Sequence, residues 1–417
     1  MNYQKVVLFT GDTETLAYFS RRLAEYFSSL KKQVFLFDFE EELESFLKLT
    51  WFIEKGNTVV ITFNFIGFCG EDIFIEKNGK LLWDNLEIPC LNIVVDHPFY
   101  YHKFQPLLPK KYIQFSIDRD HENYLKRFFK EIVSGGFLPL AGTEYYCLEE
   151  EKITIVSANG KKYPYDYGRK SQWIPYKERS MDIIFTGNYT TTESLKPHLK
   201  EVNEEYAAFY FRIIEDFLKN PSLKIEEGIE KHLWKEVEKI TEEGIKTCMP
   251  HMIFVDLYVR FAFRAKAVQT LVDAGFRVNV FGGGWENLQC NHPENLILHG
   301  MLDSSECLEK ICDSKISLNV MPWFKDGAHD RVFNSMLNHA VCLTDTSKYL
   351  KEILEDGKNV VFYELNDWNG LIKKVDYLLT HEREAEQIAA SGQKYAKKFH
   401  TWKNRGKILD KYIQNRL

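Results

Sequence analysis

Short apolar strands alternate with helices along this chain, and that alternation restricts the fold more than any other feature. Lys5–Thr10, Gln33–Phe39, Thr58–Asn64, Leu91–Val95 and Tyr112–Ile117 read as strands, with helices predicted over residues 13–30, 40–52 and 119–131. A second series has strands at Met181–Phe185, Arg277–Phe281, Asn295–Leu298, Ile316–Met321, Val341–Thr344 and Asn359–Tyr363. Its helices are predicted over 252–274, 304–312, from Asp330, over 368–398 and from His400 to the end. Apolar strands joined through helices call for parallel sheets covered on both faces. A chain of 417 residues has room for two. Ligands of such sheets lie beyond the carboxyl ends of the strands, which puts Gly11, Asp12, Asn64 and Phe65 on a ligand side.

Composition narrows the function. Lys and Arg number 54 against 60 Asp and Glu, a net charge of -6. That near-balance excludes a nucleic-acid binder that works by bulk charge. No run of ~18 apolar residues occurs, so no membrane span is expected. The first residues enter a strand without a signal-peptide layout, so a cytosolic protein is expected. The eight cysteines contain no Cys-x-x-Cys pair, which argues for buried free thiols and no metal site.

In the first half, Asp72–Leu82 is predicted to be a hairpin about Asn78-Gly79. Asp96 and His97 follow a strand and precede Pro98, Phe99, Tyr100 and Tyr101. A carboxylate beside an imidazole suits acid/base work or sugar-hydroxyl binding; a polar strand end stiffened by proline is the plainer reading. Phe137–Gly142 closes the domain, and residues 143–179 read as a linker carrying a small hairpin.

The second half opens with Gly187 and Asn188 after a strand, where glycine permits close backbone approach. Residues 194–246 read as a solvated helical insertion broken at Pro221, expected to cap a site or make a homodimer contact. Arg260 and Arg264, one turn apart, read as surface charges. Gly282, Gly283, Gly284 and Trp285 follow a strand but lack the Gly-x-Gly-x-x-Gly spacing, which discounts NAD.

Asn319–Leu343 carries the densest signal. A strand ends, a loop with Pro322 and Lys325 follows, and a helix begins near Asp330. Val332, Phe333, Met336, Leu337 and Ala340 fall on one face, and Arg331, Asn334, Ser335 and Asn338 on the other. His329 or Asp330 is placed to cap the helix. Arg331 in the first turn, beside free N–H groups and the helix dipole, favours a bound anion.

His329-Asp330-Arg331-Val332-Phe333-Asn334, Leu343-Thr344-Asp345, and Asp356-Gly357 before Val360–Tyr363 resemble the C-terminal half of GT-B glycosyltransferases, the group 1 family that includes CgeB-like proteins. The resemblance implies an α/β fold of two facing Rossmann-like domains with a deep interdomain cleft. It implies an acceptor domain over 1–142, a donor domain over 180–399, and a final helix over 400–417 that crosses back to the first domain. It implies a nucleotide-diphosphate sugar, a UDP-sugar favoured, as co-substrate, with no cofactor and no metal. The acceptor is a glycan, protein or small molecule, and a retained configuration is expected.

By the same resemblance the donor is held by Gly187, Asn188, Gly282, Gly283, Gly284, Trp285, Pro322, Lys325, His329, Asp330, Arg331 and Asn334. Arg331 then stabilises the leaving diphosphate, and Asp96 and His97 act on the acceptor side with Gly11, Asp12, Asn64 and Tyr100. Trp285 is expected near the base, or in the core. Many retaining relatives carry two glutamates eight apart where this chain has Asp326 and Asn334. They often have glycine where His339 ends the helix. An epimerase on the same cleft, or a non-catalytic nucleotide or partner binder, is the alternative.

Overall fold

Twelve strands form two parallel six-stranded sheets, one in each of two compact units. The computed structural model describes residues 3–77, 79–145, 155–156, 162–163, 174–200, 203–237 and 239–417. Unit one comprises Met1–Ser171, Asp303–Ser305 and Phe399–Leu417; unit two comprises Gln172–Leu302 and Glu306–Lys398.

The first sheet contains β1 (Lys5–Thr10), β2 (Gln33–Asp38), β3 (Thr58–Phe63), β4 (Cys90–Val94), β5 (Tyr112–Ser116) and β6 (Val133–Phe137). Their order is β2-β1-β3-β4-β5-β6. A two-stranded antiparallel pair, β7 (Ile155–Val156) with β8 (Lys162–Tyr163), lies in the predicted linker, whose turn falls outside the described residues. The second sheet contains β9 (Met181–Thr186), β10 (Val278–Phe281), β11 (Leu296–Leu298), β12 (Ser314–Asn319), β13 (Val341–Asp345) and β14 (Val361–Tyr363). Its order is β11-β10-β9-β12-β13-β14. The order reverses between β1 and β3 in one sheet and between β9 and β12 in the other. Open α/β sheets bind ligands in the crevice at such points.

Burial follows from composition. β3 and β4 are buried along their whole length, as strands covered on both faces must be. Under the first sheet, Phe9, Phe37, Phe74 and Trp83 pack edge-on and tilted, with ring centroids 5.0–6.4 Å apart. Each aromatic buries roughly 150–250 Å².

The last helix, Trp402–Arg416, belongs to unit one. Thr401 and Asn404 form a capping box at its start. Trp402 packs 4.7 Å from Phe19, and Arg405 donates to the Leu140 carbonyl at 2.9 Å. Gly406 is required, because a Cβ there would lie 2.2 Å from the Tyr26 ring.

Several expectations are corrected. The edge strand β6 was not anticipated: it contains Gly135 and Gly136, which have poor strand propensity. Gly135 fits because Phe115 lies flat against it; a Cβ would come within 2.6 Å of that ring. Asp72–Leu82 is not a hairpin of strands. It is a single turn, Asp72–Phe74, and one antiparallel bridge between Ile75 and Leu81. Asn78 lies outside the described residues. The first helix begins at Glu14, not at residue 13, and runs Glu14–Ser29; the Thr13 hydroxyl before it bonds Asp12. The insertion is helical as expected, with Thr192–Leu199, Glu204–Lys219, Ile225–Glu236 and Glu242–Cys248 among the described residues. Residues 368–398 hold two helices, Trp368–Thr380 and Glu382–Phe399. No helix among the described residues is long and apolar enough to cross a membrane.

Candidate functional site

The carboxyl ends of β9, β10, β12 and β13 meet the start of the helix Asp330–Leu337. That helix forms as its apolar spacing predicts: Val332, Phe333, Met336 and Leu337 are fully buried. On the opposite face Arg331 and Asn334 are half-buried, and Ser335 and Asn338 are buried as well. Ser335 donates to the Arg331 carbonyl, and Asn338 to that of Asn334. His329 is the cap; its Nδ1 accepts from the Arg331 N–H at 3.3 Å. Asn334, one turn on, donates to Asp330 Oδ2 at 2.9 Å and so fixes that carboxylate. At the far end His339 holds φ +58°, the left-handed position where glycine was the alternative. Its carbonyl accepts from Arg179 at 2.7 Å, which ties the helix end to β12 through Ser314.

Arg331 reaches from this helix across the strand ends. Nε donates to Asn319 Oδ1 at 2.9 Å, Nη1 to the Thr186 carbonyl at 3.2 Å, and Nη2 to the Val320 carbonyl at 3.3 Å. A guanidinium has five N–H groups, so two have no bond among the described residues. Gly187 makes this approach feasible: a Cβ there would lie 2.9 Å from Arg331 Nη1.

Two further arginines join it, and both were read as surface charges. They belong to the helix Ile253–Asp273. Arg264 Nη1 donates to the Asn188 carbonyl at 3.0 Å, and Arg260 pairs at 2.6 Å with fully buried Asp256. Burial, and then the charges of Arg331 and Arg260, hold the Arg264 pKa well below its ordinary value. Three like charges converging in a partly buried site are a cost that a bound anion relieves. Helical spacing alone does not reveal this, because nothing in the sequence shows that the Gly187–Tyr189 loop lies beside the helix.

The glycine turn supports that loop. Gly187 N–H donates to Phe281, Tyr189 N–H to Gly283, and Gly283 N–H to Asn188 Oδ1, all at 2.8–2.9 Å. A Cβ on Gly282 would meet the Gly187 carbonyl at 2.3 Å, and one on Gly284 would meet the Tyr189 carbonyl at 2.0 Å. Trp285 is 1% exposed. Its Nε1 donates to the Gly187 carbonyl at 2.8 Å and its ring stacks on Tyr189. The core reading therefore holds, and the ring presents no face to a base.

Lys325 is turned to the Pro221 carbonyl, with its ammonium over the Trp323 ring. Pro322 is buried in the same loop, and Asp326 is 7% exposed, 3.5 Å from Lys348. Asp345 is buried at the end of β13 and accepts from the Met321 N–H at 2.7 Å.

In unit one, Asp96 and His97 bond to different neighbours. Asp96 Oδ2 accepts from Asn64 Nδ2 and from the Tyr101 hydroxyl, each at 2.9 Å. His97 is 4% exposed; its Nδ1 caps the following turn by accepting from Phe99, and its ring packs on His121 and Tyr124. Pro98 follows as the first residue of the turn that His97 caps. Tyr100 stacks on Phe99 and stays half-buried. Gly11, at φ +84°, packs against the end of β2, and Asp12 is exposed.

Residues 262–411 match the family described as glycosyl transferase-like, a span that holds Arg264, the glycine turn and His329–Arg331. Solved structures share the architecture. A DNA-modifying β-glucosyltransferase aligns over 98% of each chain with a TM-score of 0.53 at 13% identity. Anabaena HepE, solved with UDP-glucose, aligns over 98% of this chain and 99% of its own, with a TM-score of 0.52 at 8% identity. The chain has the GT-B fold. Sucrose-phosphate synthase of Thermosynechococcus elongatus shares that GT-B fold over 99% of this chain and 98% of its own, with a TM-score of 0.51 at 10% identity. No curated protein matches the sequence.

Proposed function

We propose that this glycosyltransferase moves a sugar from a nucleotide-diphosphate sugar, a UDP-sugar favoured, to a hydroxyl of a glycan, protein or small-molecule acceptor. The observation that supports this most is the convergence of Arg264, Arg331 and Arg260 on the start of a helix capped by His329. As the bond from the anomeric carbon to the diphosphate breaks, its electron pair goes to the departing phosphate oxygen. The guanidinium groups and helix N–H groups favour that developing charge, and no metal is required to supply it. The acceptor oxygen bonds to the anomeric carbon and gives up its proton to the departing phosphate oxygen.

On the resemblance, retention of configuration is part of this reading, and the acceptor side is assigned to unit one. There Asp96, held by Asn64 and Tyr101, takes the acceptor-side role in place of His97.

Arg331→Ala tests the assignment. UDP release from a UDP-sugar should fall by at least about 100-fold, as when one preorganised donor is lost from a charge-stabilising site. Arg331→Lys should recover little, because the fork is lost while the charge stays. Unchanged turnover in Arg331→Ala would remove this residue from the site.

A further inference from the structure

We propose that two copies of this chain pair through the helix Glu42–Phe52 of unit one, antiparallel about a two-fold axis at Leu47. The proposal is independent of the glycosyl-transfer reading above and uses unit one, not the 194–246 insertion.

This helix has an apolar face that its own fold does not use. Its inner face is complete. Leu49 and Phe52 are buried, Phe52 packs on Phe35 at 5.2 Å, and Ser45 exchanges hydrogen bonds with the Asp38 backbone at 3.1 and 3.2 Å. On the outer face Leu43, Leu47 and Trp51 stand four residues apart and so form one stripe. All three are exposed, Trp51 to 90%. One flank continues the apolar surface: half-buried Phe46 packs on Phe74, and Ile75 beside it is exposed. Single exposed apolar residues need no explanation, but a contiguous stripe that includes a tryptophan marks a contact surface.

The charges beside the stripe select a second copy. Glu44 and Lys48 lie on its other flank, paired with each other. A two-fold axis across the helix pair keeps this flank on the same side of both copies. With the axis at Leu47, Glu44 of one copy stands offset by only about 3 Å along the helix from Lys48 of the other. Symmetry supplies the reciprocal pair. Leu43 of one copy then meets Trp51 of the other, and Leu47 meets its own equivalent. At the ends, Lys55 comes opposite Glu40 and Glu41 of the other copy. Glu54, which would repel them, is paired with Lys5 at 3.0 Å. Flanking charges of this kind fix orientation and register, as they do in coiled coils. A bilayer suits the stripe less well. Interfacial helices carry Lys and Arg on the polar face, whereas Glu40, Glu41, Glu42 and Glu44 are exposed at the start of this one. Two such stripes and their flanks bury roughly 1,000 Å², the lower bound of a specific interface, so pairing depends on concentration.

The test is the mass of the full chain, by sedimentation and light scattering, across the micromolar range. The wild type should rise from the mass of one chain toward that of two. Leu47→Glu sets two carboxylates against each other on the axis and should stay at one chain, with the wild-type melting temperature because the residue is exposed. Lys48→Glu should weaken pairing at least about 10-fold, because like charges then face each other. Glu44→Lys combined with Lys48→Glu should restore it, since the exchange rebuilds both cross-pairs. A wild type that stays at one chain, a dimer that survives Leu47→Glu, or no recovery in the double variant would overturn the proposal. So would binding to phosphatidylcholine vesicles that Leu47→Glu abolishes while the mass in solution stays at one chain, which would make the stripe a membrane face.

Discussion

Asp345 shows how one residue links stability to the anion site. Its carboxyl is 3% exposed beside Arg331, and burial raises its pKa to about 7 against the pull of the Met321 N–H, Lys325 and Arg331. Below that pH the carboxyl is neutral and leaves the arginine charges available to a ligand. The unfolded carboxyl titrates near 3.9. The folded value is higher, so this group's favourable contribution is complete below pH ~4 and is lost as pH rises through about 7. The loss is on the order of 4 kcal/mol at most. Asp345→Asn keeps an oxygen for Met321 and removes the titration. Urea unfolding should show the variant gaining stability over wild type between pH 4.5 and pH 8; a difference that does not change with pH would contradict this. Single residues were legible where local geometry decides them, as at His329 and His339. His97 was not, because an imidazole that caps a turn and one that moves protons look alike until burial is known.

At the scale of elements, the two loops at the ends of β9 and β10 carry the site. Gly282 and Gly284 are required by close backbone approach, whereas a Cβ on Gly283 would meet only Met301 at ordinary contact distance. Gly284→Ala places a Cβ on a left-handed backbone, 2.0 Å from the Tyr189 carbonyl. It should cost about 1–3 kcal/mol of stability and shift the Asn188 carbonyl away from Arg264. Thermal unfolding together with UDP titration checks this; a variant with wild-type stability and affinity would show that the apposition is unimportant. Strands with continuous apolar runs were legible, and β6 was not, because its fit depends on the Phe115 ring of a neighbouring strand. Arg260 and Arg264 were misread for a related reason. A helix face looks solvated until the loop that covers it is known.

At the scale of the molecule, the alternation of strands and helices foretold two parallel sheets, since no other architecture buries so many apolar strands joined by helices. The positions where strand order reverses come from pairing across the sheet and had to be observed. The same holds for the packing of the final helix on unit one, through Trp402 and Gly406. The central claim is that unit two holds a nucleotide through its diphosphate. The most direct measurement is thermal unfolding with UDP and with uridine, in wild type and in Arg264→Ala. At about 100-fold saturation UDP should stabilise the wild type by about 2.7 kcal/mol, uridine far less, and the variant should lose most of the effect. No stabilisation by UDP, or equal stabilisation by uridine, would contradict the account.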